Sequence, residues 1–119
     1  MLAKAIIVLL MAWLVCDGKV LASCEVATTR AQRRKGLLGR SGIEGALLIT
    51  HTRSVHTLGM QFPIDAIFCD TDLVVLAIKQ VDRLRLPISP RGTRNVVEVE
   101  RGAAERWALC VGDQLEVRD

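Results

Sequence analysis

Between Met11 and Val26 apolar residues recur at every second position, and the run is broken only by Asp17-Gly18. A period of two is the mark of a half-buried strand, and Asp-Gly suits a two-residue type I′ turn because both central residues need positive φ. The pattern predicts a hairpin in which Cys16 faces Lys19, Val15 faces Val20, Trp13 faces Ala22 and Met11 faces Cys24. In that register Met11, Trp13, Val15, Val20, Ala22, Cys24 and Val26 form one apolar face. Cys16 and Cys24 would lie too far apart along the ribbon for a disulfide.

Further on, Thr28 or Thr29 can N-cap a short helix over residues 30–35, with Gly36 placed to stop it and Leu37 and Leu38 to dock it. Ala46–Ile49 reads as a buried strand and 55–60 as another. The segments 64–69 and 73–81 form a hairpin pair around Asp70-Thr71-Asp72, the second apolar on both alternating sets and therefore expected at the sheet centre. Residues 82–95, with Pro87, Pro90 and Arg83, Arg85, Arg91 and Arg94, read as a long exposed connection. Residues 96–100 alternate Val and Glu as a half-exposed strand should, 102–109 makes one or two helical turns burying Trp107, and 114–118 is a closing strand. The fold class predicted is mainly β, at the margin of α+β: a compact β-barrel or β-sandwich of short antiparallel strands with two short helices.

A chain of 119 residues, half of them hydrophobic, is one domain with a core. The predicted domain spans 11–119, with residues 1–10 a leader or a mis-chosen start. The apolar run that follows Lys4, with Leu21-Ala22-Ser23-Cys24 behind it, also has the order of an export signal and a lipoprotein cleavage site. Asp17 and Lys19 interrupt that order, and the run of about 12 residues is shorter than the 20 or so a bilayer requires. The hairpin accounts for the same residues, so the expected location is the cytoplasm, with membrane anchoring or export through residues 1–24 as the alternative.

The net charge of +3 does not demand a polyanionic partner. Cys16, Cys24, Cys69 and Cys110 have no metal-ligand spacing and are expected to be four buried, free thiols in a reducing compartment. No cofactor or metal is expected. The basic helix, with Arg30, Arg33, Arg34 and Lys35, is expected to be a solvated face. Nucleic acid is disfavoured because Trp13, Trp107, Phe62 and Phe68 all sit in apparent core positions, leaving none for stacking.

Candidate chemistry gathers between His51 and Cys69. His51 and His56 are five residues apart and fall on opposite faces of a straight strand, so they could share a metal only across a bend. Asp65, between apolar neighbours, is expected to accept backbone N–H groups or to pair with Arg33 or Arg40. The ligand-binding candidates are His56, Asp65, Arg40 and Met60, with no catalytic residue assigned. The reading is a protein that leans away from catalysis and binds an unknown small molecule or protein through segment 51–65 and the neighbouring arginine loop. A metal-assisted or acid/base hydrolase using His56 and Asp65 is the enzymatic alternative.

Arg33, Gly36, Leu37, Leu38 and Arg40, then Gly45 to Leu48, 55–60 leading into Phe62-Pro63-Ile64-Asp65, 96–102, and Gly112-Asp113 follow in an order that resembles the bacterial and archaeal family known as domain of unknown function 192. The resemblance covers about residues 25–118 and implies a compact β-rich fold without an established reaction. His56, Thr57 and Gly59 stand where Trp, Met and Asn are usual in that family, which implies a different specificity for any pocket they build.

Overall fold

The computed structural model describes residues 10–53, 61–82 and 87–119. Its elements are β1 (Leu10–Cys16), β2 (Lys19–Ala27), α1 (Arg30–Lys35), β3 (Ala46–Ile49), β4 (Ile64–Cys69), β5 (Val75–Val81), β6 (Asn95–Glu100), α2 (Ala103–Arg106) and β7 (Leu115–Arg118). The seven strands form one sheet in the order β5-β4-β6-β3-β2-β1-β7. Among the described residues every ladder is antiparallel except that of β2 with β3, which run parallel, joined through α1. The expected strand over 55–60 lies outside the described residues.

The two edges of the sheet curl toward each other and touch. Val74 bridges Gln114, the Val75 N–H donates to the Asp113 carbonyl at 2.8 Å, and the Leu115 N–H donates to the Leu73 carbonyl at 2.9 Å. The result is a curled half-barrel with a single body. Asp70 and Asp113 hold the meeting point: Asp70 Oδ1 accepts from the Asp72 and Val74 N–H groups, and Asp113 Oδ2 accepts from Cys110 N–H.

Alternation across the strands divides the apolar residues into two clusters. The inner one runs from Leu14, Cys24 and Leu48 through Ile67 and Val97 to Val75 and Leu115, so it joins both edge strands, with α2 plugging one end. The outer one contains Leu37, Ile43, Leu47, Ile49, Phe68 and Val96, under the cover provided by α1 and the turns after it. α1 has the ends its sequence predicts: Thr29 and Gln32 form a capping box, and Gly36 closes the helix at φ 47°. Gly45 is required for a different reason. Its φ is +74°, and a Cβ there would collide with the side chain and carbonyl of Ser23, where β3 begins to run alongside β2.

The hairpin forms as predicted at its tip, where Cys16 pairs with Lys19 and Val15 with Val20. Beyond it the register slips, so that Leu14 faces Ala22, Trp13 faces Ser23 and Met11 faces Glu25, leaving Leu21 as an extra residue in β2. One inserted residue turns the rest of β1 over relative to β2. Ala12 and Leu14 therefore point inward with Cys24 and Val26, and Met11 and Trp13, expected in the core, are 58% and 50% exposed.

Three further expectations are corrected. The strand of 73–81 is not central: β5 is an edge strand with mostly half-buried side chains. β6, expected half-exposed, is flanked by β3 and β4, and its Val96 to Val99 are all buried, Glu98 among them. Trp107 is half-buried against the inner cluster rather than enclosed by it. The Asp17-Gly18 turn, α1, β3 and β4 stand where the sequence places them.

Candidate functional site

Asp65 and Arg40, expected near one another, lie on opposite faces of the sheet. Asp65 is directly across from Val99 and Gln80 and points to the inner side; it is 3% exposed. Its Oδ2 accepts from the Gly102 N–H at 3.0 Å and the Ala104 N–H at 3.3 Å. Gly102 is the N-cap of α2 but has no side chain to cap it, so a carboxylate from 37 residues earlier satisfies those donors. The arginine beside Asp65 is Arg101, with Nε 3.7 Å from Oδ1, rather than Arg33 or Arg40. Backbone acceptance was legible in the sequence; the partner was not, because Arg101 reaches Asp65 only through the β4/β6 ladder. Phe62-Pro63 is a trans peptide.

Arg40 lies on the outer side, where its Nη1 is 2.8 Å from Glu25 Oε2. Glu25, Leu47, Glu98, Ala66 and Lys79 face one another in a row across five strands. Glu98 is 2% exposed and lies beneath Gly36, close enough that a Cβ there would be in ordinary contact with Oε1 at 3.5 Å. Burial pushes the Glu98 carboxyl up to about 7, against the opposing pull of Arg40. Sequence reading missed Glu98 because a Val-Glu-Val-Glu strand looks half-exposed until the cover over its polar side is known. His56 and Met60 lie outside the described residues.

A cleft of about 370 Å³ opens where residues 51–53 meet the arginine loop, lined by Arg53, Ser89, Pro90, Arg91, Gly92, Thr93 and Arg94. Its walls are tied to the sheet. Thr52 N–H donates to the Arg94 carbonyl and Arg94 N–H to the Cys69 carbonyl, each at 2.9 Å, which carries the ladder direction past the ends of β3 and β6. Residues 90–93 form a tight turn: the Thr93 N–H and Oγ1 both donate to the Pro90 carbonyl, and Gly92 takes φ 93° at the position where turns of this kind favour glycine. Among the described residues, Arg53, Arg91 and Arg94 make no ion pair, no carboxylate lines the cleft, and the buried Ser89 hydroxyl has no hydrogen-bond partner. Arg91 and Arg94 were singled out from the sequence as loop arginines. Arg53 was not, since only the fold brings it to that loop, and Ser89, though part of the loop, carries no sequence signal that its hydroxyl is buried.

The four cysteines are free, but only Cys24 and Cys69 are buried as expected, while Cys16 is half-buried and Cys110 exposed; burial pushes Cys24 up to about 11 and Cys69 up to about 12. Among the described residues no cluster of His, Cys, Asp and Glu could hold a metal ion, and no helix is long and apolar enough to cross a membrane. Cys24, the residue at which a lipoprotein precursor would be cut, lies in the middle of β2 with its side chain buried. A cut there would remove β1 and the first half of β2.

Fold and site define a small, single-bodied β half-barrel with an arginine-lined cleft at one end of the sheet. The family model for domain of unknown function 192, described as an uncharacterized ACR, matches residues 12–117, and the chain belongs to that family. Among solved structures it is similar to a candidate transcription regulator from Sinorhizobium meliloti, at 21% identity and a TM-score of 0.76 over 90% of this chain and 92% of that one. It is also similar to a protein of unknown function from Novosphingobium aromaticivorans, at 22% identity and a TM-score of 0.72 over 91% and 84% of the two chains. At these identities the likeness concerns the fold. No protein of curated function matches the sequence.

Proposed function

We propose that the protein is a non-enzymatic, cytoplasmic binding domain that receives a small ligand, or a side chain of a partner protein, in the cleft between residues 51–53 and the 89–94 turn. The observation that carries this reading is the cleft itself: a concavity of small-ligand size, built on a turn fixed by Thr93 and tied to the central strands by Thr52 and Arg94. Core thiols left free, Cys24 and Cys69 among them, support a reducing compartment.

The hydrolase alternative loses support because Asp65 holds the end of α2 instead of facing an open site. The regulator described for the S. meliloti neighbour raises nucleic acid as a ligand, but the described lining of the cleft has no aromatic side chain on which a base could stack. Amide NMR of the labelled protein against a mixture of polar metabolites tests the proposal. Saturable shifts confined to residues 52–53 and 89–94 are expected; ligands that perturb only other surfaces, or turnover of any of them, would sink it.

A further inference from the structure

We infer that the ligand of the Arg53–Arg91–Arg94 cleft is a small phosphorylated molecule, recognised through its phosphate. The inference rests on the reading of the cleft as a ligand site and adds the chemical class. Three arginines line a volume of about 370 Å³ with no described carboxylate among them, and one of their guanidinium groups, that of Arg94, also donates to the Thr93 carbonyl at 2.8 Å. Cations gathered in this way repel one another unless an anion joins them, and a phosphate monoester carries nearly two negative charges at neutral pH. Arginine's planar fork also matches phosphate oxygens with two parallel N–H donors.

Two observations bear on this group. Like Arg30, Arg33 and Arg34 of α1, Arg53, Arg91 and Arg94 have no ion pair among the described residues, but these three lie together in the lining of one cleft. The Ser89 Oγ in the same lining is buried and has no hydrogen-bond partner among the described residues, and a phosphate oxygen could accept a hydrogen bond from it. The volume lies near the lower end of small-ligand sites, enough for a phosphate with a modest organic group.

The test is a titration of the amide NMR spectrum with inorganic phosphate, pyrophosphate and acetate, at ionic strength held constant with chloride. Saturable shifts at Arg53, Arg91, Gly92 and Arg94 are expected with phosphate and, more tightly, pyrophosphate. Arg91→Gln and Arg94→Gln should each weaken phosphate binding by roughly tenfold, as expected for losing one charge-assisted contact. Arg34→Gln, on the exposed side of α1, should leave it unchanged. All three substitutions are at exposed positions, and an unaltered amide spectrum elsewhere confirms folding. Phosphate shifts that never saturate, that equal those of acetate, or that persist in both cleft variants would overturn the phosphate class. If a neutral metabolite then still perturbed residues 52–53 and 89–94, the cleft would remain a ligand site with the wrong class assigned; if nothing did, both readings would fall. Single-stranded nucleic acid binding more tightly than pyrophosphate, and sensitive to Arg34→Gln, would also overturn it.

Discussion

Asp65 and Glu98 sit on adjacent strands one row apart, are both almost wholly buried, and point to opposite faces of the same sheet. Around Asp65 the inner region supplies two backbone N–H donors and Arg101, so the carboxylate organises the end of α2. Around Glu98 the outer region supplies mainly desolvation, with Arg40 turned to Glu25 as well, and the carboxyl is driven up to about 7. Burial alone does not decide what an acidic side chain does. Donors aimed at Asp65 make its charge structural, while their replacement by apolar cover leaves Glu98 balanced between its two protonation states near neutrality.

The largest effect should come from removing the bonded member. Asp65→Ala strips the cap from α2 and leaves buried N–H groups without acceptors, which should cost about 4 kcal/mol in denaturant unfolding. An unchanged unfolding midpoint would show that the cap contributes nothing. Asp65→Asn keeps one acceptor oxygen and should lose less.

Glu98→Gln should act in the opposite direction and depend on pH. The folded-state pKa of about 7 stands above the ordinary 4.5, so between those values the native state holds more protons than the unfolded one. The contribution of Glu98 to stability is therefore most favourable below about 4.5, declines as pH rises toward 7, and is flat beyond. At pH 8 the glutamine variant should be more stable than the parent by up to about 3 kcal/mol, the free-energy equivalent of such a shift. The advantage should vanish at pH 4. Parallel urea titrations at both pH values make the comparison, and equal stability differences at the two would refute the desolvated environment.

Arg40→Gln should have a smaller effect, about 1 kcal/mol, because the Arg40–Glu25 pair is part-exposed and screened. Its loss should be larger at pH 8 than at pH 5, since only a charged Glu98 benefits from the arginine. Smallest of all, Arg91→Gln should leave stability within about 0.5 kcal/mol of the parent, as an exposed loop position without an ion pair should. A thermal melt distinguishes that from a structural role for the arginine loop.

Much of the frame was legible because its signals are local. Asp17-Gly18 demands a turn, Thr29 with Gln32 and Gly36 brackets one short helix, and the continuous apolar run of Ala46–Ile49 makes a buried strand. The positions of charged residues were less legible. Val96 to Glu100 has the alternation of an exposed strand, yet its polar side is covered by a segment that begins more than 60 residues earlier at α1. Trp13 and Met11 were misplaced for a similar reason. One unpaired residue, Leu21, decides which way β1 faces, and the alternating pattern is apolar enough on both sides to permit either register.

The amino-acid sequence by itself determined the short elements, their caps and turns, and the β-rich character of the domain, because each depends on neighbours a few positions apart. Only the tertiary structure decided that Asp65 serves the inner face and Arg40 the outer, that Glu98 is desolvated, and that Arg53 joins Arg91 and Arg94 around one cleft. Those outcomes depend on strand order and on which face each strand turns inward. A short apolar pattern leaves both open, and hydrogen-bonding between distant segments closes them.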